Sequence, residues 1–159
     1  GRHVGLIGTK RTVQSGVYQR KIEEAREKIT LHSLATPLLA PMIEEGFFDN
    51  KISHEIIGQY LNDPELQNIE ALILACTHYP LIKKEINDFY KNTMTILDSS
   101  QVVAKALKQH LEESKLLNPG IGPVSHQFLV SDYTTSFEAS TRLFFHEQVN
   151  LEKHSLWGS

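Results

Sequence analysis

The stretch "ALILACTHYP", Ala71 to Pro80, runs an unbroken series of apolar residues into the only cysteine of the chain. A run of this kind, with no polar side chain before the thiol, fits a central strand of a parallel sheet covered on both faces. Pro80 then suits the first position of a helix continuing through "LIKKEINDFY". Cys76 therefore falls where a strand end faces a helix start. Free N–H groups and partial positive charge there would draw a thiol below its ordinary pKa of about 8.5. His78 is placed to handle protons. Thr77 offers a hydroxyl and an N–H suited to a carboxylate. The same spacing also fits a small buried hydrophobe closing a core strand, with His78 in a turn, and spacing alone leaves the two readings open.

Working outward, short apolar runs alternate with longer amphipathic segments. Val4–Ile7, Leu31–Thr36, Met94–Asp98 and "HQFLVSD" (126–132) are strand candidates. Between them, "TVQSGVYQRKIEEAREK" (12–28) sets Val13, Val17, Ile22 and Ala25 near helical spacing, with Gly16 as a weak point. "PLLAPMIEEGFF" (37–48) is expected to be a loop entering a short helix. "SHEIIGQYL" (53–61) follows as a helix capped by Ser53. Ser99 or Ser100 is expected to cap the helix "QVVAKALKQHLEES" (101–114). The Pro/Gly-rich "LLNPGIGPVS" (116–125) reads as a surface loop. "SFEASTRLFFHEQV" (136–149) is the last expected helix, capped by Asp132 or a nearby threonine. Strands alternating with helices imply an α/β fold, a mostly parallel sheet flanked by helices. No internal repeat or low-complexity segment is present.

Composition narrows the function. The chain has 159 residues, 40% of them hydrophobic, enough for one domain or part of a larger protein. Sixteen basic against nineteen acidic residues, a net charge of -3, argue against nucleic acid as a partner. No apolar run approaches the roughly 20 residues that span a bilayer, so no membrane is expected. A lone cysteine cannot form an internal disulfide, and a reducing cytoplasm is the simplest compartment. The chain opens on Gly1, with a strand almost at once, which suggests a piece of something longer.

In open α/β sheets, ligands bind beyond the carboxyl ends of the strands. Three polar clusters fall there: "GTKRT" (8–12), the segment after the second strand that ends near Glu44, and "CTHYP" (76–80). "GTKRT" could cradle an anion but lacks both the P-loop and the dinucleotide spacing; its plainer reading is a tight turn with Thr12 as N-cap. Glu44 could be a catalytic carboxylate beside a solvated Glu45, or both could be solvated. The eight histidines show no metal-ligand spacing, and with one cysteine no metal is expected. No nucleophile-elbow motif supports a serine hydrolase.

Taken together, these segments are familiar. "LILACTHYPLIK" resembles the second catalytic-cysteine motif of bacterial glutamate racemases. "GLIGTKRTVQSGVY" resembles the segment that opens their second domain, and "ATPLLAPMIEEG" and "ILDSSQVVAKAL" resemble later segments in the same order. The resemblance implies an aspartate/glutamate racemase fold of flavodoxin-like topology. It implies cofactor-independent interconversion of L- and D-glutamate, supplying peptidoglycan synthesis. In that chemistry one thiolate removes the α-proton while an opposing thiol protonates the other face, and the site must stabilise a developing carbanion. Carried over, Cys76 is one catalytic cysteine, Thr77 a carboxylate binder, and His78 a proton-handling neighbour. Thr9 and Thr12 line the site, and Glu44 matches the acidic residue that approaches it.

The departure is the missing N-terminal half of that family, with its Asp-Ser-Gly motif and its Ala-Cys-Asn-Thr cysteine. The resemblance thus implies an incomplete two-domain architecture. Residues 1–98 would form the second domain, and 99–159 would complete the first. The chain alone would be inactive, and a homodimer or a self-associating fragment is expected because the strands and apolar faces it leaves open invite pairing. Three alternatives stand beside this: a racemase of aspartate or another acidic amino acid, a non-catalytic module binding carboxylate or phosphate, and a redox-sensing thiol.

Overall fold

The computed structural model describes all residues except 119, 121, 124, 134, 146, 148 and 156–159, and for 135–137, 139 and 140 it describes the backbone alone. Two compact units divide the chain, Gly1–Gln109 and His110–Ser159.

The first unit is built on four parallel strands: β1 (Arg2–Gly8), β2 (Ile29–Ala35), β3 (Ala71–Ala75) and β4 (Thr95–Asp98). Their order is β2-β1-β3-β4, the doubly wound order of flavodoxin-like sheets. Gly8 pairs with Ala35 on one side and Ala75 on the other, so three strands end level. β1 is buried from Val4 to Gly8, whereas β3 alternates: Leu72 and Leu74 are fully buried, Ala71 and Ile73 only in part. The cover expected on both faces of "ALILAC" is thus closed on the side of Leu72 and Leu74 alone.

That side holds the core. Leu72 and Leu74 pack with Leu39, Met42 and Ile43 of α3 (Leu39–Glu44), with Ile57 and Leu61 of α4 (Lys51–Leu61), and with Ile86 of α5 (Lys83–Phe89). Two single-turn helices, Pro64–Leu66 and Tyr79–Ile82, add Leu66, Tyr79 and Ile82. Gly5 permits this packing, because a Cβ there would meet Ile69 Cδ1 at 2.6 Å.

The long helix expected over 12–28 is two helices, α1 (Lys10–Ser15) and α2 (Val17–Glu24). Gly16 ends the first at φ 60°, in the left-handed region that a residue without Cβ enters freely. Neither helix contributes a fully buried residue. Caps also differ from expectation, each by one short offset. Thr9, not Thr12, caps α1, its hydroxyl accepting from Thr12 N–H. Asn50 caps α4, and Ser53 is its reciprocal partner three residues on, in a capping box. At α6 (Ser99–Glu113), Asp98 accepts from Ser100 N–H and Oγ at 2.9 and 2.6 Å, where a serine cap was expected.

In the second unit, β5 (Phe128–Val130) pairs parallel with β6 (Leu151–Lys153). The crossover between them contains α7 (Thr135–Phe145), and the Phe128 and Phe145 rings meet edge to face at 4.9 Å. The expected final helix ran to Val149; positions 146 and 148 lie outside the described residues. β6 had no counterpart in the sequence reading.

Candidate functional site

The order β2-β1-β3-β4 reverses direction between β1 and β3, and such a reversal opens a crevice beyond the carboxyl ends. Thr9 follows β1 and Cys76 follows β3 directly, so the Gly8–Ala75 pair sets these two residues on neighbouring strand ends. Thr36, at the end of β2, is the third member of the row.

Cys76 is partly buried and packs against the core. Its Sγ lies 3.7 Å from His78 Nδ1. The other ring nitrogen, His78 Nε2, lies 3.0 Å from Glu44 Oε1. Three residues from two segments, α3 and the turn after β3, thereby form one chain: thiol, imidazole, carboxylate. A carboxylate only accepts, so it holds the proton of a neutral imidazole on Nε2 and leaves Nδ1 as an acceptor facing the sulfur. The arrangement lets the ring receive the thiol proton, and the carboxylate then steadies the imidazolium.

The thiol itself is not acidified as the helix-start argument expected. Burial pushes the Cys76 pKa above the ordinary thiol range. Backbone N–H groups of His78 and Tyr79 pull it down, but by less, and the Glu44 charge adds to the rise. The turn after β3 opens a single helical turn rather than a long helix, so desolvation outweighs the N–H groups. Glu44 has two opposite influences: it opposes a thiolate through space and favours one through the ring.

The turn is held by contacts the sequence did not disclose. Tyr79 and Thr36 are both wholly buried. Their hydroxyls lie 2.7 Å apart, and Tyr79 Oη also donates to the Thr36 carbonyl at 3.2 Å. Thr36 N–H and Oγ1 donate to the Gly8 carbonyl at 2.9 and 3.3 Å. This network ties the ends of β1 and β2 to the segment carrying Cys76 and His78. Burial raises the Tyr79 pKa to about 12. Asp98 braces the far side, with Lys83 3.9 Å away.

The remaining expected residues are placed as follows. Thr9 and Thr12 pair with each other through their hydroxyls at 2.9 Å. Thr77 is exposed on the turn between Cys76 and His78, and Glu45 points to solvent beside Glu44. No helix among the described residues is long and apolar enough to cross a membrane.

No protein-family model matches the chain. It is 34% identical to the glutamate racemase of Aquifex aeolicus strain VF5 over 148 residues, 93% of this chain and 54% of that protein. It is 36% identical to the glutamate racemase of Persephonella marina over 153 residues, 96% of this chain and 56% of the relative. Among solved structures it matches the Francisella tularensis glutamate racemase in complex with D-glutamate at a TM-score of 0.87. Identity there is 34%, covering 98% of this chain and 59% of that one. The Thermus thermophilus glutamate racemase in complex with β-chloro-D-alanine gives 0.82 at 35% identity, with 98% and 57% covered. The chain spans about half the length of the curated relatives it matches. Its mostly parallel sheet flanked by helices is the fold of those structures, present in part.

Proposed function

We propose that this chain, similar along nearly its whole length to one half of the glutamate racemases, supplies one side of a cofactor-independent glutamate racemase site. The observation that carries the reading is the Cys76–His78–Glu44 chain at the switch point of the sheet. Cys76 passes its proton to His78 Nδ1. The thiolate then takes the α-proton of the amino acid, so that a C–H bond breaks as an S–H bond forms. A second thiol, on a half like that of the family's Ala-Cys-Asn-Thr motif, gives its proton to the opposite face and completes inversion. Thr77, exposed beside the thiol, and Thr9 are assigned to the substrate carboxylates. The Thr9–Thr12 pair holds the start of α1 in place. D-glutamate for peptidoglycan is the proposed product and the cytoplasm the proposed compartment.

With one cysteine the chain has a base and no opposing acid, and it is expected to be inactive alone. Residues 1–98 are assigned to the second racemase domain and 99–159 to the segment completing the first. Val102, Val103 and Leu107 of α6 are 60%, 62% and 55% exposed. Apolar exposure on that scale favours self-association, and light scattering is expected to show a dimer or larger species; a monodisperse monomer would count against it.

Circular dichroism of L-glutamate solutions tests the reading. The chain alone is expected to leave the signal unchanged. The product of the gene extended through its upstream coding sequence is expected to erase it, unless Cys76 is replaced by serine. Faster racemisation of aspartate by the extended protein would move the assignment to a neighbouring racemase class. Full turnover by the chain alone would refute the two-thiol reading.

A further inference from the structure

A second polar cluster lies where α4 packs against α5. Asp49 precedes α4, His54 lies in its first turns, and Glu85 sits in the first turn of α5. Each offers one donor atom, and the three atoms lie within 4.8 Å of one another. The His54 Nε2 and Asp49 Oδ1 pair is 3.9 Å apart. His54 and Glu85 also line a cavity of about 200 Å³ together with Ile57, Asp88 and Phe89.

A second observation distinguishes this cluster from ordinary surface acids. Glu85 is only 6% exposed, and its Oε2 is buried with no hydrogen-bond partner among the described residues. A buried carboxylate oxygen without a partner is costly, and such groups are normally paired or bound to a cation. The Lys84 ammonium, close enough to interact with Asp49 and Glu85, is bonded to Asp88 at 3.0 Å. Counting Asp49, Glu85 and Asp88 against Lys84 leaves an excess of two negative charges among these side chains.

We propose that Asp49, His54 and Glu85 form a binding site for a divalent transition-metal ion, of the kind that accepts one imidazole and two carboxylates, as zinc does. Glu85 is the preset ligand, fixed in the core side of α5. Asp49 and His54, whose side chains are 70% and 51% exposed, rotate to close donor separations to the roughly 3.3 Å of a tetrahedral zinc shell, which follows from bonds of about 2.0–2.2 Å. Water or Asp88 completes the coordination. The ion would pin the start of α4 to the start of α5. The ligands are five and thirty-one residues apart in sequence and come from a loop and two helices, so no metal-binding spacing betrays them.

The test is titration of zinc chloride into the Cys76→Ser chain, which lacks the thiol as a competing ligand, followed by calorimetry and by thermal unfolding. One zinc ion is expected to bind per chain and to raise the unfolding midpoint. His54→Ala, a change at an exposed position, and Glu85→Gln are each expected to weaken binding at least tenfold. His32→Ala, which removes a histidine engaged with His3 and Glu65, is expected to leave it unchanged. Magnesium at the same concentrations is expected to give no shift, since it does not favour imidazole. Absence of zinc binding, retention of full affinity in His54→Ala, or equal response to magnesium would each overturn the proposal.

Discussion

Replacing Tyr79 by phenylalanine isolates the contact that holds the turn after β3. The hydroxyl makes two buried hydrogen bonds, both to Thr36. Its removal strands neither partner: the Thr36 carbonyl still accepts from Leu39 N–H, and Thr36 Oγ1 still donates to Gly8. The loss is therefore that of net hydrogen bonds without an orphaned group, about 1–2 kcal/mol near neutral pH. A second magnitude follows from titration. The phenol pKa is about 12 in the folded chain against an ordinary 10.0. A group raised on folding contributes its full stability below the unfolded value and loses it as pH climbs through the folded one. Each pH unit in that window removes about 1.4 kcal/mol, so the loss reaches about 2 kcal/mol by pH 11.5. Urea unfolding of the parent and of Tyr79→Phe, at intervals from pH 8 to pH 11.5, reads the difference directly. Other tyrosines and the lysines titrate in both proteins and cancel. The parent is expected to start more stable and to converge on the variant above pH 10. Parallel curves across this range would show that the hydroxyl is hydrated, and the account of the turn would fail.

Four further outcomes are expected. The pH profile of Cys76 alkylation should have its midpoint above 9.0, leaving less than about 1% thiolate at pH 7. Glu44→Gln should lower that midpoint, since the charge of the carboxylate adds to the rise of the thiol pKa; an upward move would contradict the geometry. Gly5→Ala places a methyl 2.6 Å from Ile69 Cδ1 and 3.1 Å from Leu66 Cδ2 and Leu72 Cδ1, and should destabilise the chain by about 1–3 kcal/mol in urea unfolding. Asn50→Ala removes the acceptor of Ile52 and Ser53 N–H, and should cost about 1 kcal/mol by the same assay.

Three strands of the main sheet, β1, β3 and β4, were legible because each carries an apolar run; β2 (Ile29–Ala35), which includes His32 and Ser33, was read only from Leu31 on. β6 was not: Leu151-Glu152-Lys153 has no pattern of its own and is a strand only because β5 lies beside it. Both N-cap errors at threonine and serine, Thr12 for Thr9 and Ser53 for Asn50, arise from one cause. In each, two polar side chains stand three residues apart, Thr9 with Thr12 and Asn50 with Ser53, and composition does not say which of them lies outside the helix. At the site, Cys76 and His78 are neighbours in sequence and could be paired by inspection. Glu44 could not, because its contact with His78 spans two elements that only the fold brings together. Only the likeness to racemase segments pointed to it. The direction of the thiol's pKa was misjudged for a related reason: burial is a property of the packed core and has no local signature.

The alternation along β3 has a consequence of counting rather than of energy. Leu72 and Leu74 turn toward the helices α3, α4 and α5, and Cys76, two residues further on, packs against the same cluster. Side chains of a strand alternate in direction, so parity decides which way the sulfur points. Adding or removing one residue between Leu74 and Cys76 would swing the thiol to the opposite side of the sheet and away from the side on which Glu44 lies, however mild the change in composition. A change of two would restore it. In this part of the chain, length is a discrete variable with only two settings, and the reactive group is present in just one of them.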